Sequence, residues 1–317
     1  MRILVTGAAG FIGYHLCKSL CKNSFEVLGI DSLNDYYDPN LKLSRLDQLK
    51  DYDNFKFEKV NIADKDSITK SFQSFHPQKV VNLAAQAGVR YSIENPYAYM
   101  DSNLTGFINI IELCRYNKVE GLIYASSSSV YGGNTKFPFK VEDRVNKPLS
   151  LYGATKRTNE LIAYSYSHLY DLNTTGLRYF TVYGPWGRPD MAMFIFTKKM
   201  VDNQPIPVFN NGNMNRNFTF IDDIINGTIS AIEKNYNYEI FNLANQSSIN
   251  LNDMIRYLEK ELNVKAKKDY LPLQPGDVTN SDADIEDTID RLSFKPETNI
   301  KTGISKFIEW YNNYYNL

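Results

Sequence analysis

The residues Thr6-Gly7-Ala-Ala-Gly10-Phe-Ile-Gly13 restrict the fold more than any other stretch of this chain. Before them, Arg2-Ile-Leu-Val-Thr6 is a short apolar run suited to a buried parallel strand. After them, apolar residues recur at helical spacing from Phe11 to Leu20. The glycines therefore fall in a strand-to-helix turn. Gly7 suits the tight turn, Gly10 lets backbone approach a pyrophosphate, and Gly13 lets the helix pack closely, while the helix N-terminus offers unpaired N–H groups to phosphate. The spacing is G-x-x-G-x-x-G rather than G-x-G-x-x-G. A second apolar run, Phe25-Glu-Val-Leu-Gly-Ile30, ends in Asp31, whose carboxylate can accept from ribose hydroxyls and repel a 2′-phosphate, which favours NAD over NADP.

The alternation of strand and helix continues downstream. Strands are predicted at 2–6, 26–30, 55–60, 79–84, 120–126 and 173–178, the pattern of an α/β, Rossmann-type doubly wound parallel sheet. Residues 1–180 read as a dinucleotide-binding domain. From 181 to 317, where Pro185, Pro189, Pro205 and Pro207 break short elements, the chain reads as a smaller α/β substrate lobe. The boundary is not clean: Tyr238-Glu-Ile-Phe-Asn-Leu-Ala244 is apolar enough to rejoin the main sheet, so about 216–246 returns to the first domain. The substrate is expected at the carboxyl ends of the strands, between the lobes.

Ser150-Leu-Tyr-Gly-Ala-Thr-Lys156 carries the chemistry. Tyr152 and Lys156, at i and i+4, share one helix face, so an ammonium can sit beside a phenol. A free phenol, with a pKa of about 10, is a poor base at neutral pH. A neighbouring ammonium and an oxidised nicotinamide both favour the phenolate. Among 23 Tyr and 35 Lys plus Arg the spacing alone is common, but here it follows Ile123-Tyr-Ala-Ser-Ser-Ser-Ser-Val-Tyr131, an apolar strand ending in four hydroxyls.

Composition removes other classes. A net charge of −1 and a pI near 6.3 leave no basic footprint for nucleic acid. Cys17, Cys21 and Cys114 form no Cys-x-x-Cys and read as buried thiols in a reducing compartment. The chain begins on its first strand and no apolar run reaches about 18 residues, so a soluble, cytoplasmic protein with no membrane partner is expected. His15, His76 and His168 lie apart, which argues against a histidine base or a metal site.

The glycine spacing, the hydroxyl-rich strand end and Tyr152/Lys156 resemble the extended short-chain dehydrogenase/reductase superfamily. Further landmarks in order are Asn82-Leu-Ala-Ala-Gln-Ala-Gly-Val-Arg-Tyr-Ser92, Asn103-Leu-Thr-Gly106, Leu177-Arg-Tyr-Phe-Thr-Val-Tyr-Gly-Pro-Trp-Gly-Arg-Pro-Asp190, Arg216-Asn-Phe-Thr-Phe-Ile-Asp-Asp223 and Gln274-Pro-Gly-Asp-Val278. They are similar to nucleotide-sugar epimerases over nearly the whole chain. The nearest resemblance is to UDP-glucuronate 4-epimerases, a group associated with capsular polysaccharide biosynthesis.

This resemblance implies an isomerase that interconverts UDP-glucuronate and UDP-galacturonate through a transient 4-keto intermediate and bound NAD. It implies Ser127, Tyr152 and Lys156 as the catalytic trio, with Ser128 or Ser129 as the alternative hydroxyl relay. NAD contacts are implied for Gly7, Gly10, Phe11, Ile12, Gly13, Asp31, Asn34, Asn61, Ile62, Leu83, Ala84, Ala85, Asn103, Tyr152 and Lys156. For the UDP-sugar, Arg216 matches a diphosphate contact and Asp277 a ribose or uracil contact, while Arg90 and Gln274 fall within substrate-side landmarks. Ser128, Ser129, Thr181 and Arg188 are positioned to accept a carboxylate, with Arg188 serving either the carboxylate, the uridine or the loop itself. Dehydratases of the superfamily carry Asp-Glu where Ser128 and Ser129 stand, and glucose epimerases commonly carry Asn at the place of Thr181. The segment Thr279-Asn-Ser-Asp-Ala-Asp284 departs from the family's threonine-aromatic pattern. A homodimer through helices near 97–117 and 151–170 is also implied. The alternatives are a UDP-glucose or UDP-N-acetylglucosamine 4-epimerase and, from another class, a non-catalytic dinucleotide-sensing module; the intact Tyr152/Lys156 pair argues against the latter.

Overall fold

Seven parallel strands form the frame. In the computed structural model, which describes residues 1–274 and 276–317, these are β1 (Arg2–Thr6), β2 (Glu26–Asp31), β3 (Phe55–Lys59), β4 (Lys79–Asn82), β5 (Gly121–Ser127), β6 (Thr174–Tyr179) and β7 (Tyr238–Leu243). Their order is β7-β6-β5-β4-β1-β2-β3, and every neighbouring pair is parallel. Helices cover both faces, so the central strands are apolar on both: Val5, Val81, Ile123, Leu177 and Phe241 pack to one side, and Leu4, Leu28, Val80 and Leu122 to the other.

Chain order reverses between β1 and β4, which share the register Thr6↔Asn82. Connections diverging from that point open a crevice at the carboxyl ends of the strands. The Thr6 hydroxyl donates to Asn82 Oδ1 (2.6 Å) and accepts from Ala84 N (3.1 Å), fixing the backbone on both sides of it. The return of the chain into the sheet is realised as β7, paired with β6 from Tyr238↔Thr174 to Leu243↔Tyr179.

Beyond the sheet lie short pairings: Thr181–Tyr183 with Phe218–Phe220, Ile206–Phe209 with Lys268–Leu271, and Asn215–Arg216 between Ile249–Asn250 and Asn280–Ser281. The C-terminal helix Ile300–Tyr315 buries Phe307, Ile308 and Tyr311 and sets Phe307 and Tyr311 against Phe194, so the aromatic tail is packing. Pro275, inside the predicted Gln274–Val278 landmark, lies outside the described residues.

One fully buried cation joins the two regions. Arg45 donates to the carbonyls of Ala9 (2.9 Å), Trp186 (2.7 Å) and Gly187 (3.2 Å) and to the Tyr37 hydroxyl (2.7 Å), tying the glycine turn to the loop that carries Arg188. Among the described residues, no helix is long and apolar enough to cross a membrane.

Candidate active site

A cavity of about 570 Å³ opens at the carboxyl ends of the strands, of a size for a bound small molecule. At one end the glycine turn is shaped for close approach. Gly7 sits at φ 73°, a left-handed conformation, and a Cβ on Gly13 would lie 2.0 Å from the Gly7 carbonyl oxygen. The helix Phe11–Lys22 starts at Gly10 without a capping side chain, which leaves its first amides open to an anion. Asp31, at the end of β2, accepts from Ala9 N (3.2 Å) and Leu33 N (2.8 Å), so its carboxylate is oriented at the groove wall. Asn34, Asn61, Ile62, Leu83, Ala84 and Ala85 line the same groove. The glycine cradle, the open helix end and a fixed carboxylate fit a dinucleotide.

Asn103 lies in the π-helical turn Met100–Thr105, where its amide accepts from Gln86 N (2.8 Å) and donates to Gln86 O (3.0 Å) and Thr155 Oγ1 (3.0 Å), holding the Gln86 backbone at the groove. The wider π turn sets the direction of that side chain, a deviation that helical spacing does not announce.

Ser127, Tyr152 and Lys156 meet at the middle of the cavity. Ser127 ends β5 and accepts from Ser129 N (3.2 Å), starting the short helix Ser128–Tyr131; Ser150 caps the helix Leu151–Tyr170 by accepting from Gly153 N (3.1 Å). Burial pushes the Tyr152 phenol above its ordinary value, while its hydrogen bond with Ser127 and the positive charge of Arg188 draw it back. Those two groups, rather than Lys156, temper the phenol here. The Lys156 ammonium turns to the Ala125 carbonyl (2.8 Å), and burial lowers its pKa from 10.5 to about 8.

Ser128, Ser129, Thr181, Arg188, Arg90, Arg216 and Asp277 line the remaining wall. Arg188 turns its two-pronged edge to its own loop, one of the alternatives left open for it: Nε donates to Asp190 Oδ1 (3.0 Å), Nη2 donates to Asp190 Oδ2, and Tyr36 OH donates to the same carboxylate (3.2 Å). Burial disfavours the guanidinium, but Asp190 more than offsets this and raises its pKa. Arg216 Nη2 donates to Asp277 Oδ1 (3.0 Å), and Arg90 stacks over Phe209 at 5.1 Å. The Gln274 backbone carbonyl accepts from Asp277 N (3.2 Å), and among the described residues its buried Oε1 has no hydrogen-bond partner.

Sequence reasoning missed Tyr36, Lys42, Tyr91 and Asp190 in this wall. Lys42 Nζ donates to both Asn34 O and Asn34 Oδ1 (2.6 Å each), and the Tyr36 and Tyr91 rings pack at 4.7 Å. The one local signal was the dense Asp35-Tyr-Tyr-Asp38 run directly after β2. His15 is half-buried against the Pro185 carbonyl (2.9 Å), and desolvation lowers its pKa to about 4, which keeps it neutral. Among the described residues, no three His, Cys, Asp or Glu side chains gather as a metal would require.

The model of the family described as NAD dependent epimerase/dehydratase matches residues 3–244. The chain belongs to that family. This epimerase/dehydratase family member is 50% identical to Protein CapI of Staphylococcus aureus over 99% of both chains. It is 45% identical to UDP-glucuronate 4-epimerase 4 of Arabidopsis thaliana, over 99% of this chain and 76% of that one. The crystal structure of the UDP-glucuronic acid 4-epimerase from Bacillus cereus, in complex with UDP-glucuronic acid and NAD, is 36% identical and superposes with a TM-score of 0.94 over 99% of this chain and all of its own.

Proposed function

We propose that this protein is a UDP-glucuronate 4-epimerase, an NAD-dependent isomerase interconverting UDP-glucuronate and UDP-galacturonate. The observation that carries the reading is the meeting of Ser127, Tyr152 and Lys156 with the hydroxyls of Ser128, Ser129 and Thr181 in one cleft. Residues 1–180 with the returning segment near 216–246 hold NAD, and 181–317 hold the UDP-sugar. NAD, when bound, supplies a two-electron acceptor and donor for carbon 4 of the sugar.

The chain's own groups do the rest. Tyr152 takes the proton of the 4-hydroxyl as base and returns it as acid, with Ser127 shortening the relay. Lys156, buried on the cavity wall, would donate to the nicotinamide ribose of bound NAD, with burial lowering its pKa to about 8. Arg216, Arg90 and Asp277 anchor UDP while the sugar turns about its phosphate linkage. Ser128, Ser129 and Thr181 hold the substrate carboxylate away from the alignment in which a β-keto acid loses carbon dioxide. Arg188, its forked edge given to Asp190, favours that carboxylate through its charge and its remaining Nη1. Ser128 and Ser129 also offer no acid or base for carbon 5, so elimination of water does not start.

Exposed Ile93, Tyr97, Met100, Ile108, Leu161 and Tyr164 form apolar surface on the helical run 91–116 and on the helix Leu151–Tyr170, which supports a homodimer built on those helices. The free, buried Cys17, Cys21 and Cys114 suit the reducing cytosol. The deciding experiment is incubation with UDP-glucuronate, with and without added NAD, followed by NMR. UDP-galacturonate forming without net cofactor reduction supports the reading; turnover of UDP-glucose alone refutes the sugar assignment.

A further inference from the structure

The helical stripe that carries Tyr152 and Lys156 does not end at the lysine. Glu160 follows at the same spacing, so Tyr152, Lys156 and Glu160 lie along one face of the helix Leu151–Tyr170. Each engages one of three successive residues at the end of β5. Lys156 Nζ donates to Ala125 O (2.8 Å), Ser126 Oγ donates to Glu160 Oε1 (2.6 Å), and the Ser127 hydroxyl faces the Tyr152 phenol and favours its ionised form.

Glu160 is fully buried and does not line the catalytic cavity. A carboxylate there persists only with charge partners and a complete set of hydrogen bonds. Arg178 of β6 provides both: Nε donates to Oε1 (2.8 Å) and Nη2 to Oε2 (3.0 Å), while Arg157 Nη1 donates to Oε2 (2.9 Å). Arg178 Nη1 continues to the Tyr131 hydroxyl (2.9 Å), which donates to Asn242 Oδ1 on β7 (2.7 Å). The back of the helix is thereby bonded to β5 and β6 directly and to β7 through Tyr131.

A helix satisfies its own backbone, so nothing in that backbone sets its rotation about its axis; side-chain contacts must. A roll of about 20° moves a Cα on its radius of about 2.3 Å by about 0.8 Å, and the phenol oxygen, farther out, by more. Misplacement by about 1 Å at a reacting group costs on the order of 10²-fold in rate.

We propose that Glu160 is a positioning residue that fixes the roll of this helix, with Ser126 as its link to the strand, so that the Tyr152 phenol meets Ser127. The inference rests on Tyr152 being the acid–base group.

The test uses NAD-loaded full-length protein with Glu160→Gln and Ser126→Ala. Two readouts are taken: the pH profile of kcat, and the ultraviolet titration of the Tyr152 phenol, read as the difference from the same protein carrying Tyr152→Phe. The expected result for Glu160→Gln is a fall in kcat of about 10- to 100-fold with KM within about threefold. The phenol should titrate at higher pH, because the Ser127 contact that favours phenolate loosens. Ser126→Ala, which leaves the Arg178–Glu160 pair intact, should shift both readouts in the same direction by less, and it decides alone if Glu160→Gln does not fold. Wild-type kcat with an unshifted phenol overturns the proposal, as does a loss of activity that only tracks the folded fraction. If the wild type leaves UDP-glucuronate unchanged, the sugar reading falls, yet the phenol titration still decides the role of Glu160.

Discussion

Replacing Lys156 by Met should make the cofactor-free protein more stable at pH 7 while removing its catalysis. Lys156 is 3% exposed, and burial lowers its pKa from 10.5 to about 8. At about 1.4 kcal/mol per pH unit, the charged form is carried in the fold at a cost of about 3 kcal/mol. Met keeps the apolar stem and removes the charge. It also removes the bond to the Ala125 carbonyl, and leaving that acceptor short of a partner costs about 1–2 kcal/mol. The net gain is then about 1–2 kcal/mol. The sign follows from proton counts: between pH of about 8 and 10.5 the unfolded chain binds the Lys156 proton and the folded chain does not, so wild-type stability from this group rises with pH. The advantage of the Met variant should shrink across that window. Urea unfolding of both proteins at pH 7 and near pH 10.5 measures it, and turnover of UDP-glucuronate by the NAD-loaded variant should fall on the order of 10²-fold or more. A Met variant less stable than wild type at pH 7, or a gap that widens with pH, would refute the reasoning.

Tyr152→Phe should keep fold and NAD binding but lose about 10²–10⁴ in kcat, checked by NMR turnover and by cofactor content. Asp31→Ala should narrow the preference for NAD over NADP, measured by titration with each, since the carboxylate at the end of β2 is oriented by Ala9 N and Leu33 N. Thr181→Ala and Arg188→Ala should each reduce UDP-glucuronate turnover more than UDP-glucose turnover, by about 1.5–3 kcal/mol where a charge-assisted contact is lost. Equal losses on the two sugars would contradict carboxylate recognition at these residues. Gly13→Ala should lower both stability and NAD affinity, seen by thermal unfolding with and without NAD, because the added carbon would fall 2.0 Å from the Gly7 carbonyl oxygen.

The parts of this molecule that depend on neighbours in sequence were legible in it. Strands β1 to β6 announce themselves as apolar runs between helical periods, and β7 does so even though it returns from beyond the expected boundary. The glycine turn and the Tyr152/Lys156 face are likewise set by spacings of three and four residues. Contacts between distant segments were not legible. The Asp190 carboxylate that occupies Arg188 also accepts from Tyr36, 154 positions away, and only the fold brings that hydroxyl to it. The bonds of Asn103 to Gln86 were not legible either, because a π turn changes the direction of a side chain without changing composition. Glu160 continues a visible stripe, but its meaning depends on Arg178, which lies on a strand.

Arg45 has a mechanical consequence for how the molecule opens. Its bonds to the Ala9, Trp186 and Gly187 carbonyls and to Tyr37 are charge-assisted and buried or partly buried, and a hydrogen bond to a charged group is worth about 1.5–3 kcal/mol. Arg45 therefore acts as a stitch between the glycine turn and the loop 186–188, and any movement of that loop away from the turn has to break charge-assisted bonds. The Arg216–Asp277 pair on the cleft wall is by contrast partly exposed, so water can replace its partners when it opens.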